Sequence, residues 1–423
     1  MPLLGHVRPG LPIARELVKR GHEVFFYTGA KYRAEVEAVG ARFAGMRQAR
    51  DFDDAELPAA FPELQGLRGF AQMKLGMELL FVDPIPNQVA DLHSLRAEHG
   101  FDVMVHDVCF TGMPLYAERY GVPYVTYGIS ALAFPSRDTA PFGLALPPSA
   151  STLGRLRNRG LYALTDRVIF RRHNARYRAM RRELGLHADI RETFLGAPIR
   201  AQAYLQTSVP SFDYPRSDMP SVLEFVGPFL LEPGRAFEAP RWWSELDGTR
   251  PVVHVTQGTV STNASDLLVP TLHALADEDV LVVATTGGAP VQSLGALPSN
   301  ARVERFIEYM HLLPHVDVMV TNGGYGGVGT ALAHGVPMVV AGDTEEKPEV
   351  ARRIGWSGVG IDLRSGRPSE RRIRDAVRRV LREPSFRQRA QAMQREIAGY
   401  AGARRAADVV EQVAGSATIS SAA

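Results

Sequence analysis

Residues 317–351 read DVMVTNGGYGGVGTALAHGVPMVVAGDTEEKPEVA, and this stretch decides the fold. It predicts a strand over Asp317–Thr321, a glycine-rich turn, a helix that runs to about His334 with Gly335 after it, and a second strand over Val336–Ala341. A strand, a helix and a strand in this order form a βαβ unit, which belongs in a parallel sheet.

The turn of this unit carries four glycines within five positions, at Gly323, Gly324, Gly326 and Gly327. Without side chains the backbone can approach a ligand closely, and the unpaired N–H groups at a helix start attract an anion. We therefore predict a phosphate or diphosphate site here. The spacing is not G-x-G-x-x-G, and no acidic residue follows about 20 positions later, which disfavours an NAD site.

Length and composition predict a two-domain globular protein. The chain has 423 residues, of which 45% are hydrophobic and 22% charged, with a net charge of +2 and Cys109 as its one cysteine. A single cysteine excludes an intrachain disulfide and a metal cluster held by cysteines. The sequence shows no signal peptide and no apolar run of about 20 residues, so we expect a cytoplasmic protein. Its basic stretches lack interleaved aromatic residues, which argues against nucleic-acid binding.

Strand and helix patterns alternate along both halves of the chain, which indicates two parallel α/β domains. We predict an N-terminal domain over 1–229, a C-terminal domain over 230–384 and closing helices over 385–423, with a hinge between Phe229 and Pro240. The predicted strands outside the opening unit are His22–Thr28, Ala41–Met46, Phe101–Val108, Val122–Ile129, Pro251–Thr256, Val280–Thr285, Arg302–Ile307 and Val359–Leu363.

The helical region Leu153–Leu184 is strongly basic, with Asp166 and Glu183 as its only acids. One interpretation is a solvated helix face. The other is docking to anionic lipid or to an acidic acceptor, which would make residues 155–182 a peripheral membrane contact. The arginines are Arg155, Arg157, Arg159, Arg167, Arg171, Arg172, Arg176, Arg178, Arg181 and Arg182.

The start of the chain is short for such a fold. A parallel domain should begin with a strand of about five residues, yet only Met1–Leu4 precede Gly5-His6, and Pro2 has no N–H for a ladder. Either the natural chain begins upstream, or the first strand is shortened.

Six short motifs resemble those of GT-B glycosyltransferases of the UDP-glycosyltransferase type, including the bacterial enzymes that glycosylate macrolides and flavonoids. The resemblance covers nearly the whole chain. The motifs are Gly5-His6-x-x-Pro9, Val105-His106-Asp107, the segment from Val253 to Gln257-Gly258-Thr259, Phe306-Ile307 with the following residues to Asp317, the glycine-rich turn, and Glu346-Lys347.

The resemblance implies an α/β fold with two Rossmann-like doubly wound domains facing across a cleft. It also implies that His6 is a catalytic base paired with Asp107 and that no metal is required. Because His106 lies beside Asp107 in the sequence, it is a competitor for this role. An acidic partner on the second ring nitrogen would hold the base and stabilise the imidazolium. The donor-binding residues it implies are Gln257, Gly258, Thr259, Phe306, Ile307, Asn322, Gly323, Gly324, Tyr325, Gly326, Gly327, Glu346 and Lys347.

The chain departs from the family pattern at several donor positions. Asn322 stands where the family usually has a phosphate-binding histidine, and Gly326 and Gly327 replace Asn and Ser. Lys347 replaces a glutamine that binds donor sugar, and Phe306 stands in place of a base-stacking tryptophan. Backbone amides therefore replace side-chain donors at the anion site.

From this we expect an inverting glycosyltransferase that moves a hexose from a UDP- or TDP-sugar to a hydroxyl of a small, largely apolar acceptor. The acceptor, a natural product, flavonoid or lipid, would lie against residues 47–87 and 130–184, and the enzyme would be a monomer or dimer without a cofactor. The alternatives are a nucleotide-sugar epimerase on the same fold and a non-catalytic auxiliary protein.

Overall fold

The computed structural model describes residues 1–67, 69–189, 193, 194, 196, 200–230, 237–258 and 263–421. The strands β1 to β12 span Phe25–Thr28, Arg42–Gly45, Met104–Asp107, Tyr124–Gly128, Ala203–Gln206, Leu223–Phe225, Val252–Thr256, Leu281–Thr285, Ala301–Glu304, Val318–Thr321, Met338–Val340 and Gly360–Asp362.

The α-helices α1 to α16 span Leu4–Val7, Gly10–Lys19, Arg33–Ala38, Leu57–Ala60, Gly69–Met77, Ile85–His99, Gly112–Tyr120, Thr152–Leu164, Arg171–Glu183, Leu268–Ala274, Tyr309–Leu312, Tyr325–Ala333, Lys347–Ser357, Glu370–Arg382, Pro384–Ile397 and Ala403–Ser421. Two π-helical turns, Glu78–Val82 and Thr165–Ile169, continue α5 and α8.

All strands in the described residues pair in parallel. The C-terminal half forms a six-stranded sheet in the order β12-β11-β10-β7-β8-β9. Its central strands are almost entirely apolar and buried along their whole length, as in Val252–Thr256 and Leu281–Thr285, because helices cover both faces. The predicted βαβ unit is present as β10, α12 and β11. The predicted strand Arg302–Ile307 ends earlier, at Glu304, so Phe306 and Ile307 lie in the connection that follows.

The N-terminal strands form two sheets, one of β1 and β2 and one in the order β3-β4-β5-β6. Where the sequence analysis expects a full first strand, residues Leu4–Val7 instead form the short helix α1. Met1 is buried, and its carbonyl oxygen accepts a hydrogen bond from Thr28 Oγ1 at the end of β1. Three residues, one of them Pro2, are too few to form a strand ladder.

The closing helices divide between the two halves. Helix α15 packs on α12, whereas α16 packs on α2 and on strands β4 and β5 of the N-terminal sheet. The chain crosses over at Gly402, whose φ is +53° and whose N–H donates to the Val226 carbonyl 2.9 Å away. Arg20 then binds Asp408 and Glu411 of α16, at 2.8 Å each.

Both halves share one apolar core, in which Ala131, Val209 and Phe212 of the N-terminal half pack with Tyr325 and Val328 of α12. The predicted hinge lies only partly within the described residues, since 231–236 are outside them, and the domain boundaries stay a prediction. Within the part of the chain that the structure describes, no helix is long and apolar enough to cross a bilayer.

Candidate active site

A histidine and an aspartate meet where the carboxyl end of β3 faces α1. His6 Nδ1 lies 2.9 Å from Asp107 Oδ1, although the two residues are 101 positions apart. The same carboxylate oxygen also accepts the Cys109 N–H at 2.9 Å. The Asp107 side chain is 6% exposed and that of His6 14%, so the pair is largely shielded but His6 remains reachable.

The environment keeps this aspartate ionised. Burial works to raise the pKa of Asp107, but the positive charge and the hydrogen bond of His6 outweigh it and lower the pKa to about 2. A carboxylate that is charged at neutral pH fixes the tautomer of His6 by accepting from Nδ1, which leaves Nε2 free to accept a proton.

The competing histidine does not take part in the pair. His106 is buried, and its Nε2 lies 2.7 Å from Thr126 Oγ1 on the neighbouring strand β4. Burial lowers the pKa of His106 to about 4, so the ring stays neutral. Successive strand residues point to opposite faces, and β3 therefore turns Asp107 toward His6 and His106 away from it.

Cys109 adds a third group to the pair. One ligand atom each of His6, Asp107 and Cys109 lies within 4.8 Å of the other two, a spacing that a metal ion could bridge. Burial raises the pKa of the Cys109 thiol well above its usual range, which disfavours the thiolate that binds metals.

The glycine-rich turn ends at the start of α12. Gly323 has a φ of +90°, and a Cβ there would lie 2.9 Å from Val340 Cγ2, so both conformation and space require glycine. Gly324 precedes the helix, and the first helical hydrogen bond runs from the Val328 N–H to the Gly324 carbonyl. The N–H groups of Tyr325, Gly326 and Gly327 in the first turn therefore have no partner within the helix, and the anion site at this turn stays a prediction.

The turn after β7 lies beside the glycine-rich turn. Asn322 Nδ2 donates to the Gln257 carbonyl, which ties the two turns together, and Gly258 has a φ of +71°. The Gln257 side chain is engaged within its own domain, with Nε2 donating to the Asn263 carbonyl and Oε1 accepting the Leu268 N–H. Only the backbone of Gln257 is left to contact a nucleotide-sugar donor. Thr259 lies outside the described residues.

The predicted base-binding residues border an open cavity. Phe306 is 61% exposed, and its ring lies over Gly288, where a Cβ would come within 3.2 Å. Phe306 and Ile307 line a cavity of about 540 Å³ together with Phe237, Trp242 and Glu304.

The acidic-basic pair Glu346-Lys347 stands at the start of α13. Burial raises the pKa of Glu346, against the opposing charges of Lys347 and, more weakly, of His6. Lys347 is 6% exposed, and its Nζ pairs with Glu345, a residue held at a φ of +56°. The Lys347 carbonyl oxygen would lie 3.6 Å from a Cβ at Gly323, so the pair adjoins the glycine-rich turn.

Tyr325 faces the N-terminal half rather than the donor side. The residue is 6% exposed, and its hydroxyl accepts from Gln206 Nε2 at 2.5 Å, at the carboxyl end of β5. The side chain therefore joins α12 to the sheet that carries Asp107. Binding of the nucleotide-sugar donor by Tyr325 stays a prediction. Its backbone N–H, and not its side chain, is the group available for this role.

A buried ionic cluster, which the sequence analysis did not find, joins the two halves near the cleft. Arg353 of α13 is 1% exposed, and it donates to Asp213 at 3.0 Å and to Glu349 at 2.9 Å. Glu349 Oε1 in turn accepts the N–H groups of Gly143 and Ala145, both at 2.8 Å. In the sequence these charges look like an ordinary solvated helix face, and nothing local distinguishes them.

Two halves built on parallel sheets, with a His–Asp pair in the first and a glycine-rich helix start in the second, have the architecture of the GT-B fold. Residues 269–413 match the family model described as the C-terminal domain of erythromycin biosynthesis protein CIII-like proteins. Along 96% of both chains, the sequence is 51% identical to 4'-demethylrebeccamycin synthase of Lentzea aerocolonigenes.

Two further comparisons agree with this. UDP-glycosyltransferase 2 of Phaeomoniella chlamydospora is 35% identical, over 98% of this chain and 94% of that protein. The crystal structure of CalG4, the calicheamicin glycosyltransferase, superposes with a TM-score of 0.75 at 25% identity, over 97% of this chain and 96% of that one. The chain belongs to the GT-B glycosyltransferases of the UDP-glycosyltransferase type and is an enzyme that transfers a glycosyl group. The comparisons do not support the epimerase or the auxiliary protein.

Proposed function

We propose that this enzyme moves a hexose from a UDP- or TDP-sugar to a hydroxyl of a small, largely apolar acceptor, with inversion at the anomeric carbon. The observation that carries the proposal is the 2.9 Å contact between His6 Nδ1 and the buried Asp107 carboxylate, whose pKa the His6 contact lowers against the effect of burial. Such a pair orients a neutral imidazole as a general base and stabilises the imidazolium that forms.

In the proposed step, the acceptor hydroxyl gives its proton to His6 Nε2 while its oxygen forms a bond to the anomeric carbon. The bond between that carbon and the diphosphate oxygen breaks, and the nucleoside diphosphate leaves with the electron pair. One attack from the face opposite the leaving group inverts the configuration. Asp107 keeps its charge throughout and pairs with the imidazolium.

The leaving diphosphate gains negative charge as the bond breaks. The free N–H groups at the start of α12 supply partial positive charge for it, and Lys347 lies beside the same turn. We propose that these groups take the place of a metal ion, with the backbone of Gln257 and Gly258 facing the same diphosphate. Glu346 would then hold sugar hydroxyls, and Phe306 and Ile307 the base.

The acceptor would lie on the N-terminal side of the dyad. The ring of Phe81 lies 6.2 Å from that of His6, so an apolar surface borders the base. Phe81 belongs to the π-helical turn Glu78–Val82, within the irregular segment that the sequence analysis assigned to acceptor binding.

Calorimetric titration with UDP and with TDP tests the donor, and a transfer assay with NMR of the product tests the stereochemistry. We expect micromolar binding of at least one nucleotide, a product with the anomeric configuration opposite to that of the donor, and full activity in EDTA. Retention of configuration would contradict the base role of His6. Loss of activity in EDTA, restored by a divalent cation, would contradict the metal-free site.

A further inference from the structure

Helix α8 and the π-helical turn after it carry an apolar stripe that nothing in the described protein covers. Leu153 is 80% exposed, Leu156 66%, Leu164 49% and Val168 64%. Exposed Gly160 fills the gap between Leu156 and Leu164. These five residues recur at helical spacing and therefore lie along one side, which we call the outer face. Four of the ten large apolar side chains that are exposed among the described residues belong to it.

The surroundings of the outer face are positively charged. Residues 152–182 contain ten arginines and a single acid, Asp166, although the whole chain has a net charge of only +2. The rest of the protein is therefore net acidic, and positive charge is concentrated here. Asp166 is half-buried, and burial raises its pKa against the charge of Arg167.

Several of these arginines point into solvent. Arg159, Arg171 and Arg172 are exposed and form no ion pair with any residue that the structure describes. Arg167 is exposed next to Val168 of the stripe. By contrast, Arg176 pairs with Asp83 and Arg181 with Glu118, so those two arginines serve the fold. The exposed arginines therefore leave positive charge close in the chain to the exposed leucines.

We propose that the outer face docks the enzyme on the surface of an anionic lipid bilayer. An apolar stripe flanked by unpaired arginines is the arrangement that lies in a membrane interface, with leucines in the acyl boundary and guanidinium groups on lipid phosphates. A second copy of the chain fits the charge poorly, because a two-fold contact would set the same arginines against each other.

The position of the face suits delivery of an apolar substrate. Helix α8 follows the loop that holds Gly143 and Ala145, whose N–H groups bind Glu349 of the C-terminal half. A bilayer on the outer face would thus lie on the same loop-and-helix segment that borders the cleft, so an acceptor dissolved in lipid would have a short path to it.

Co-sedimentation with sucrose-loaded vesicles tests the proposal. One set is phosphatidylcholine alone, and the other contains an equal part of phosphatidylglycerol. We expect several-fold more wild-type enzyme bound to the anionic vesicles, with binding weakened as salt is raised because the charge is screened. Leu156→Ser with Leu164→Ser, and separately Arg171→Glu with Arg172→Glu, should each lower binding by about fivefold or more.

The matched controls are Leu297→Ser and Arg371→Glu, exposed positions of the C-terminal half. They should bind as wild type, and circular dichroism and melting temperature of all variants should show an intact fold. Equal binding of wild type to both vesicle sets would overturn the proposal. So would controls that lose binding as the outer-face variants do, or a dimer in analytical ultracentrifugation that Leu156→Ser with Leu164→Ser dissociates.

Discussion

At the scale of single residues, the His6–Asp107 pair makes the sharpest prediction. We expect His6→Ala to lower kcat by about 10²- to 10⁴-fold, because a general base contributes an effect of this size. Donor binding should be unchanged, since His6 lies on the acceptor wall. The kcat of Asp107→Asn should lie between those of His6→Ala and the wild type, because a neutral amide does not stabilise the imidazolium as a carboxylate does. Steady-state kinetics with an alcohol acceptor and UDP calorimetry measure both effects. A His6→Ala enzyme with more than about half of wild-type kcat would rule out the pair as the base.

A second residue-scale prediction concerns pH and stability. His254 is buried in β7, its Nδ1 is 2.9 Å from the Val283 carbonyl, and burial lowers its pKa to about 4. The unfolded chain protonates this histidine near pH 6.5, whereas the folded protein does not. The contribution of neutral His254 to the free energy of unfolding is therefore complete above pH 6.5. It falls by about 1.4 kcal/mol per pH unit as the pH drops toward 4. His106, with a pKa also lowered to about 4, adds the same slope.

Urea unfolding between pH 7 and pH 4 measures this slope. His254→Asn keeps a donor for the Val283 carbonyl but does not titrate, so its free energy of unfolding should depend less steeply on pH than that of the wild type. Parallel pH profiles for the two proteins would contradict the assignment. The Asp107 contribution is separate, because its folded pKa of about 2 lies below its unfolded value and its stabilisation is lost only below about pH 4.

At the scale of elements, the turn between β10 and α12 depends on one glycine more than on the others. Gly323→Ala places a residue with a side chain at a φ of +90° and directs its Cβ toward Val340. We expect the free energy of unfolding to fall by about 1–3 kcal/mol and UDP binding to weaken. Gly326→Ala is the matched control, because it lies within the helix and a Cβ there meets nothing within 4 Å. It should preserve or slightly raise the melting temperature.

Calorimetry with UDP and thermal unfolding compare these two variants. Equal affinity for UDP in Gly323→Ala and wild type would contradict the anion site at this turn. Asn322→Ala belongs to the same comparison. The Asn322 amide donates to the Gln257 carbonyl, so removing it should lower the free energy of unfolding by about 1 kcal/mol and weaken the contact between the two turns.

At the scale of the whole molecule, the Arg353 cluster holds the two halves in register. Arg353→Ala leaves Asp213 buried without its partner, and we expect a loss of about 3–5 kcal/mol in the free energy of unfolding. Turnover should also fall, because His6 and the α12 start lie on opposite halves. Arg379→Ala removes an exposed pair with Glu383 on α14 and should change neither property noticeably. Identical urea midpoints for Arg353→Ala and Arg379→Ala would show that the cluster does not join the halves.

Much of the local structure was predictable. The βαβ unit at residues 317–341 and the strand Val252–Thr256 follow from apolar periodicity and glycine placement, which act over a few residues. The boundaries of the short strand Ala301–Glu304 were less predictable, since packing sets where such a strand ends. The His6–Asp107 pairing was expected through family resemblance, because sequence spacing alone does not pair residues 101 positions apart.

The sequence by itself therefore determined the fold class, the glycine-rich turn and the type of residue on each wall of the cleft. Only the tertiary structure decided that Tyr325 points to Gln206, that the Gln257 side chain serves its own domain, and that Arg353 and Glu349 are buried between the halves. It also decided that the outer face of α8 stays uncovered. The physical reason is that local periodicity and turn chemistry are properties of a short segment, whereas burial and charge pairing depend on which distant segments pack against it.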